Sequence, residues 1–278
     1  MPIMMETYVP GAHYVLPHNR DEFERLNLLH KYSTNVVCDG RLVFDKNINF
    51  EASCCVLDSG AGTGAWAVDL AKKLPDSVEI YAVDISDAKF MPSPPPNVKF
   101  SLASVTSLPA EWSSKFDFVA QRYLVAALLA KEWSEAAAEI YRVVKPGGAV
   151  QLIEIDMRFP TPETPVSVRI RDVKWKGFNA LGLDYGITGR LPDLLEDAGF
   201  VDVVDEVRRM PLGKSWGEIG MQGTNVVGGA FRNLYGSIAK AGAAETHEEY
   251  EGLIDKLVTE WDAHGSNYPC HVCARKPA

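Results

Sequence analysis

The segment Val56-Leu57-Asp58-Ser59-Gly60-Ala61-Gly62-Thr63-Gly64 limits what this chain can fold into more than any other. It follows a short apolar run, Cys54-Cys55-Val56-Leu57. It precedes a stretch in which Ala67, Leu70, Ala71 and Leu74 recur at the i, i+3, i+4, i+7 spacing of one helix face. A strand, a glycine turn and a helix in that order form the context in which such a loop holds a nucleotide-like ligand. Glycine lets the backbone turn tightly and lets a ligand approach with no Cβ in the way. The helix that follows offers free N–H groups and the positive end of its dipole. Asp84 ends the next apolar run, about 20 residues after Gly64, where a carboxylate can accept hydrogen bonds from both hydroxyls of a ribose.

The pattern around this loop repeats. Ile80–Val83, Val98–Leu102, Phe116–Ala120 and Ala149–Ile155 read as further buried strands. Trp133, Ala136, Ala137, Ile140, Tyr141 and Val144 give a second helical stripe, broken by Lys145-Pro146-Gly147-Gly148. Continuous apolar strands alternating with amphipathic helices indicate a parallel sheet covered on both faces. Upstream, Asn19 followed by Glu22 three residues later is a helix start, and Phe23, Leu26, Leu29 and His30 continue it, so a helix is expected near 20–34. Downstream, helices are expected over 166–182 and 191–198, a sixth strand from Gly199-Phe200 through 204, and a last strand from Cys270 to Ala274. The glycine-punctuated stretch 212–265 is too long for an ordinary connection and reads as a helical lid or substrate-binding insertion. The expected division is a leader or lid over 1–50 and one α/β domain over 51–278 that carries the insertion.

Composition narrows the partners. A chain of 278 residues with 46% hydrophobic content can bury a large core. Its 37 acidic and 28 basic residues give a formal net charge of −9, which argues against nucleic acid as the main partner. Arg169, Arg171, Lys174 and Lys176 read as a solvated helix face. No apolar run approaches the ~18 residues of a membrane span, and Met1–Gly11 lacks a signal-peptide pattern, so the cytoplasm is the expected compartment. The five cysteines are odd in number and sparse. Cys270-His271-Val272-Cys273 has no second ligand pair, and no metal is expected. The oligomeric state is not legible.

Gly60–Ala65 also satisfies G-x-G-x-x-A, so the glycine turn alone leaves NAD and S-adenosylmethionine (SAM) both open. Asp58, Asp84 and the Lys145–Gly148 turn together resemble the class I SAM-dependent methyltransferases. Further motifs are similar to the fungal LaeA-like and UMTA-type methyltransferases: Tyr14-x-Leu16-Pro17 with Glu22, Arg25, Leu26 and His30; Gly64-x-Trp66-Ala67; Pro95-Pro96-Asn97-Val98; Phe116-Asp117-Phe118; and Arg275-Lys276-Pro277. The likeness runs from about Tyr8 to Pro277. It implies a Rossmann-like α/β sheet of seven strands, mostly parallel with the last antiparallel. It also implies a role in fungal secondary metabolism or its regulation. Carried over residue by residue, Gly60 and Gly62 pass close to the methionine part of SAM and Asp58 braces their loop. Asp84 holds the ribose, Ile85 lies against adenine, and Ser104 and Val105 flank the adenine edge. Gln121 sits near the methionine end, and Tyr14 and Arg25 close over the cofactor from the leader. Relatives usually read Asp-Ala at Ser104-Val105, so a charged acceptor is replaced by a neutral one, which contributes roughly half as much. Asn19 stands for the family's usual Asp and caps a helix about as well.

Methyl transfer from a sulfonium asks the protein to align, desolvate and sometimes deprotonate the nucleophile. His18 is the candidate base in the leader, since a histidine takes a proton near neutral pH. Glu154 and Asp156, at the end of the fifth strand, either orient the acceptor or bond backbone N–H groups. Tyr123, Trp175, Phe178, Trp216, Phe231 and Tyr235 either line an apolar substrate pocket or belong to the core. The leading expectation is methyl transfer to O or N of a small-molecule secondary metabolite. The alternatives are a SAM-binding regulator that acts through protein partners and a SAM-dependent enzyme of non-methylating chemistry. An NAD oxidoreductase would need a hydride-transfer pair, and none can be located.

Overall fold

The computed structural model describes residues 8–9, 14–17, 19–51, 53–88, 90–244 and 246–275, with only the backbone for 271–275. The apolar runs form β1 (Cys55–Ser59), β2 (Glu79–Asp84), β3 (Val98–Leu102), β4 (Phe116–Arg122) and β5 (Val144–Ile155), followed by β6 (Arg208–Leu212) and β7 (Ser266–Arg275). They make one seven-stranded sheet in the order β3-β2-β1-β4-β5-β7-β6. The first five strands pair in parallel, and β7 runs antiparallel to both β5 and β6. This is the mixed Rossmann-like sheet expected. Val56, Leu57, Ile80, Val83 and Val119 are fully buried, as strands covered on both faces require.

The chain leaves β1 toward β2 and β3 on one side and returns to place β4 on the other. The crevice beyond the carboxyl ends of β1 and β4 is therefore a switch point, where open α/β sheets bind ligands. Two helices frame it. α1 (Arg20–Tyr32) is capped by Asn19, whose Oδ1 accepts from Glu22 N at 2.9 Å. It continues as a π-helical turn, Ser33–Val37, closed by Cys38 N donating to Ser33 O at 3.0 Å. α2 (Ala65–Ala71) follows the glycine turn. α3 (Glu132–Val143), α4 (Pro165–Ala180) and α5 (Leu191–Asp197) connect later strands.

Between β6 and β7 lie α6 (Gly217–Asn233), α7 (Tyr235–Lys240) and α8 (His247–His264). α6 packs against α1 and β6 at close range. A Cβ at Gly223 would fall 2.7 Å from Tyr32 Oη and 2.1 Å from Pro211 O. Tyr32 Oη donates to that same carbonyl at 2.6 Å, fastening α1 to β6. No helix among the described residues is long and apolar enough to cross a membrane.

Three expectations change. The sixth strand is not at 199–204 but at Arg208–Leu212. Gly199 and Asp202 take positive φ (102° and 52°), and Val201 and Val204 remain exposed, so that segment cannot extend into the sheet. In β6 it is Met210 and Leu212 that alternate inward, both fully buried. Lys145–Gly148 does not precede the fifth strand but is a bulge inside it, with the β4–β5 register shifting at Phe116/Phe118. Lys145 Nζ reaches both oxygens of Asp117 there, at 2.8 Å each. Lys174, assigned to a solvated face, is fully buried; its Nζ sits 3.5 Å over the Phe231 ring, and burial pushes its amine well below the usual lysine range.

Candidate active site

The glycine turn is built by its own backbone. Gly60 N and Ala61 N both donate to Val83 O, at 2.9 and 2.8 Å, which pins the turn to the end of β2. Gly60 (φ +74°) and Gly64 (φ +74°) hold the left-handed conformation that side chains disfavour. A Cβ at Gly64 would stand 2.3 Å from the Phe100 ring, and one at Gly60 would stand 2.9 Å from Leu124 Cδ2. Asp84 closes the turn from the next strand: its Oδ2 accepts from Gly62 N at 2.7 Å and its Oδ1 from Ser86 N at 3.3 Å. The leader ties in as well, through Thr63 Oγ1 donating to Asn27 Oδ1 at 2.9 Å and Val9 N donating to Ile85 O at 2.8 Å.

Three cavities follow one another along the strand ends. The first, about 360 Å³, is lined by Tyr14, Asp84, Ile85, Ser104 and Val105. The second, about 80 Å³, lies over Gly60 and Gly62 and shares Tyr14, Gly60, Asp84 and Leu124 with the first. The third, about 60 Å³, is apolar and lies between α1 and α6, sharing Leu29 and Tyr123 with the second. A larger groove of about 780 Å³ runs along Phe118, Ala149 and Gln151, part-way down the sheet. Its two arginines, Arg41 and Arg208, are already paired with Asp39, and no glycine turn is among its lining residues, so the strand-end series is the candidate site.

The expected residues divide. Asp84, Ile85, Ser104, Val105, Gly60, Gly62 and Tyr14 meet around the first two cavities. Ser104 does so with its hydroxyl engaged, 2.8 Å from Thr106 Oγ1 and accepting from Thr106 N at 3.2 Å. Asp58 lies beneath the turn, buried; burial raises its carboxyl to about 6, and its Oδ2 has no hydrogen-bond partner among the described residues. Arg25 is displaced from the cofactor cleft and lines the apolar cavity. Gln121 lines none of the three; it is 1% exposed, and Ser59 Oγ donates to its Oε1 at 3.4 Å. Glu154 is fully buried under the chain after β4, accepting from Leu124 N at 2.7 Å and Val125 N at 3.0 Å, so it braces that segment rather than facing an acceptor. Burial drives its pKa up to about 8 against those two bonds. Asp156 pairs with Arg158 at 2.6 Å. His18 lies outside the described residues. Of the aromatic candidates, Tyr123 and Phe231 line the apolar cavity, Phe178 is core, and Trp175 and Trp216 are about half exposed.

Arg122 was not foreseen, and Tyr123 was expected only as a wall of the acceptor pocket or as core. Both line the cavity over the glycines. Tyr123 has φ +59°, strained for a residue with a side chain, and is held by its amide donating to Ile153 O at 2.8 Å and its hydroxyl donating to Ser33 Oγ at 2.6 Å. Arg122 leans on His30, with Nη1 to Nδ1 at 3.4 Å, while His30 Nε2 meets Asp69 Oδ2 at 3.0 Å. Burial, reinforced by Arg122, lowers His30 to about 4, so its ring is neutral at pH 7. Arg122 Nε and Asp58 Oδ2 are both buried beside the turn with no hydrogen-bond partner among the described residues. A cleft with a guanidinium, a carboxylate at the ribose position and a turn that admits no Cβ fits the amino-acid and nucleoside ends of SAM.

Comparison with known proteins agrees. A family model described as a methyltransferase domain matches residues 56–148. The chain is 29% identical over 218 residues to an N-methyltransferase, tcpN, of Claviceps purpurea, covering 75% of each chain. It is 31% identical over 168 residues to the secondary metabolism regulator LAE1 of Cochliobolus heterostrophus, covering 56% of this chain and about half (52%) of that one. In fold it resembles a Bacillus halodurans protein assigned as a methyltransferase, with a TM-score of 0.53 at 14% identity over 92% of this chain and 99% of that chain. These likenesses decide what the glycine turn left open: the cofactor is S-adenosylmethionine, and the chain is a SAM-dependent methyltransferase similar to the fungal N-methyltransferases and LaeA-like proteins.

Proposed function

We propose that the chain methylates a nitrogen of a small, largely apolar molecule of the kind made in fungal secondary metabolism. The observation that carries this reading is the apolar cavity, which meets the methionine end of the cofactor cleft through Leu29 and Tyr123. SAM, when bound, supplies a methyl group on a sulfonium whose C–S electron pair leaves with sulfur. The chain's own residues do the rest. Asp84 holds the ribose, Ile85 and Val105 enclose adenine, and Gly60 and Gly62 admit the methionine part. α1 and α6 exclude water and keep the acceptor in line. An alcohol must lose its proton to attack, and among the described residues no carboxylate or imidazole lines the apolar cavity. A neutral nitrogen already has its lone pair and sheds its proton to water after release. The similarity to N-methyltransferases favours the same atom.

The test is to incubate the protein with methyl-labelled SAM and extracts of fungal metabolites, then locate the label by mass spectrometry. Label on nitrogen supports the reading. Label confined to oxygen, or no labelled product from a protein that binds S-adenosylhomocysteine, overturns it. The second of those results would favour a regulator acting through protein partners. That alternative draws on the likeness to LAE1 and on Trp216, Ile219 and Met221, exposed around the start of α6.

A further inference from the structure

Arg25 is the one charged side chain among the described residues that line the apolar cavity, whose walls include Leu29, Met157, Val227 and Phe231. It is 8% exposed. Its charge is already balanced: Nε donates to Glu22 Oε2 at 2.7 Å and Nη2 to Glu22 Oε1 at 2.6 Å. Glu22 is fully buried and is steadied by Asn233 Nδ2 donating to its Oε2 at 2.7 Å. A guanidinium carries five N–H donors in a rigid fork. The pair with Glu22 uses Nε and Nη2 and leaves Nη1 without a hydrogen bond to any described residue. The stem is held in place by α6, where a Cβ at Gly229 would come within 3.3 Å of Arg25 Cδ. The other polar tip at the cavity, the Tyr123 hydroxyl, is committed to Ser33 Oγ.

Building on the methyl-transfer reading, we propose that Arg25 selects the acceptor: an uncharged, mostly apolar molecule with an oxygen that accepts a hydrogen bond from Nη1. Three features of the cavity lead there. A protonated amine would be desolvated among apolar side chains with no carboxylate to meet it, beside a cofactor that brings a positive sulfonium. A carboxylate would set a second anion on a guanidinium that Glu22 already neutralises. A carbonyl or ether oxygen needs only a donor, and Nη1 is the donor that remains. Arg25 is thus a specificity-determining residue, distinct from those that hold SAM.

The experiment uses the full chain with S-adenosylhomocysteine and three probes of related skeleton. Acetophenone carries a carbonyl, ethylbenzene carries no polar group, and 1-phenylethylamine is an ammonium at pH 7. Dissociation constants come from ligand-observed NMR titration. Acetophenone is expected to bind about tenfold more tightly than ethylbenzene, the scale of one hydrogen bond to a charged donor, and the ammonium to bind weakest. Arg25→Lys keeps a cation for Glu22 but removes the fork, and the advantage of acetophenone should disappear. Glu22→Gln with Arg25→Met, which leaves no buried charge unpaired, is the second variant should Arg25→Lys fail to fold. No advantage for acetophenone in the wild type, an advantage that survives loss of the fork, or tightest binding of the ammonium each overturns the inference. The wild-type comparison decides even where a variant loses S-adenosylhomocysteine. Failure of the wild type to bind S-adenosylhomocysteine overturns the methyl-transfer reading instead.

Discussion

The cofactor cleft and the apolar cavity touch at Leu29 and Tyr123, yet they are made of different materials. The cleft is mostly backbone. Gly60 N and Ala61 N hang from Val83 O, and Gly62 N is held by Asp84, so its shape is inherited from two adjacent parallel strands. The cavity is mostly side chains. Its walls come from α1, α6 and the segment after β4, and the bond that draws α1 to α6 joins Glu22 to Asn233, 211 residues apart. A cleft held by the sheet keeps one cofactor through much sequence change. A cavity held by helix packing can be re-cut for a new acceptor one residue at a time.

Removing the leader should break that contrast most severely, because it serves both halves. Leu16 lines the apolar cavity, Tyr14 lines the cleft, and Ser237 Oγ donates to Val15 O at 2.5 Å. Deletion of residues 1–18 is expected to abolish turnover and weaken S-adenosylhomocysteine while circular dichroism still reports a folded sheet. Full activity in the truncated protein would reduce the leader to a passive extension. Hydrogen exchange should also show residues 14–30 more protected once S-adenosylhomocysteine is bound.

Asp84→Ala confines the damage to the cleft. Each charge-assisted bond to the ribose is worth about 1.5–3 kcal/mol before compensation by water, so S-adenosylhomocysteine affinity should fall at least about tenfold. Acetophenone binding to the protein without cofactor should hold. Calorimetry checks the first and NMR the second; an unchanged cofactor affinity in a folded variant removes Asp84 from the ribose.

Glu154 lies under the segment where the two halves meet and gives a smaller, pH-dependent effect. Its carboxyl titrates near 4.5 when unfolded and near 8 in place, because burial raises it. Between those values the native state holds a proton that the unfolded chain has lost, so this group's contribution to stability is present below pH 4.5 and is lost as pH rises through 8. The slope for one proton is about 1.4 kcal/mol per pH unit. Glu154→Gln cannot titrate, and the difference between variant and wild type in urea unfolding should change at that slope, by about 2 kcal/mol in all between pH 5.5 and 7. His30 acts with the opposite sign between about 4 and 6.5, since burial lowers it, but it is common to both proteins and cancels in the difference. A pH-independent difference would mean that Glu154 is ionised in place.

The smallest effect is expected at Ser104→Asp. The serine hydroxyl already caps its own loop through Thr106. An aspartate keeps that cap and adds a charged acceptor, so cofactor affinity should rise by less than about threefold, since part of the carboxylate stays with the loop. Weaker binding in a folded protein would show that the side chain does not face adenine.

What the sequence made legible follows the same division. Gly60, Gly62, Gly64 and Asp84 announce themselves because a backbone-built turn demands particular residues at fixed spacing. Parallel strands buried on both faces are likewise written as apolar runs. Gln121 was read as facing the cofactor and Arg122 was not, because position along a strand is readable but the side toward which each residue points near its end is not. The signal available was an arginine closing an otherwise apolar strand. Glu154 looked like a base because carboxylates at strand ends often face ligands; the two amides it serves belong to residues about 30 positions earlier. Lys174 looked solvated because charge predicts exposure, and the aromatic ring beneath it comes from α6. The strand at 208–212 hid behind Arg208 and Arg209. In each case the missing fact was a contact between segments far apart in the chain.

The docking of α1 sets an order of events during synthesis. α1 leaves the ribosome well before its fastenings, Pro211 and Asn233, which lie 179 and 211 residues after their partners Tyr32 and Glu22. Until those residues emerge, the face that will close the active site has nothing to cover it, and contacts of such long range form slowly. The growing chain can therefore pair its five parallel strands while α1 waits, and the enzyme becomes able to enclose its ligands only once α6 has been made.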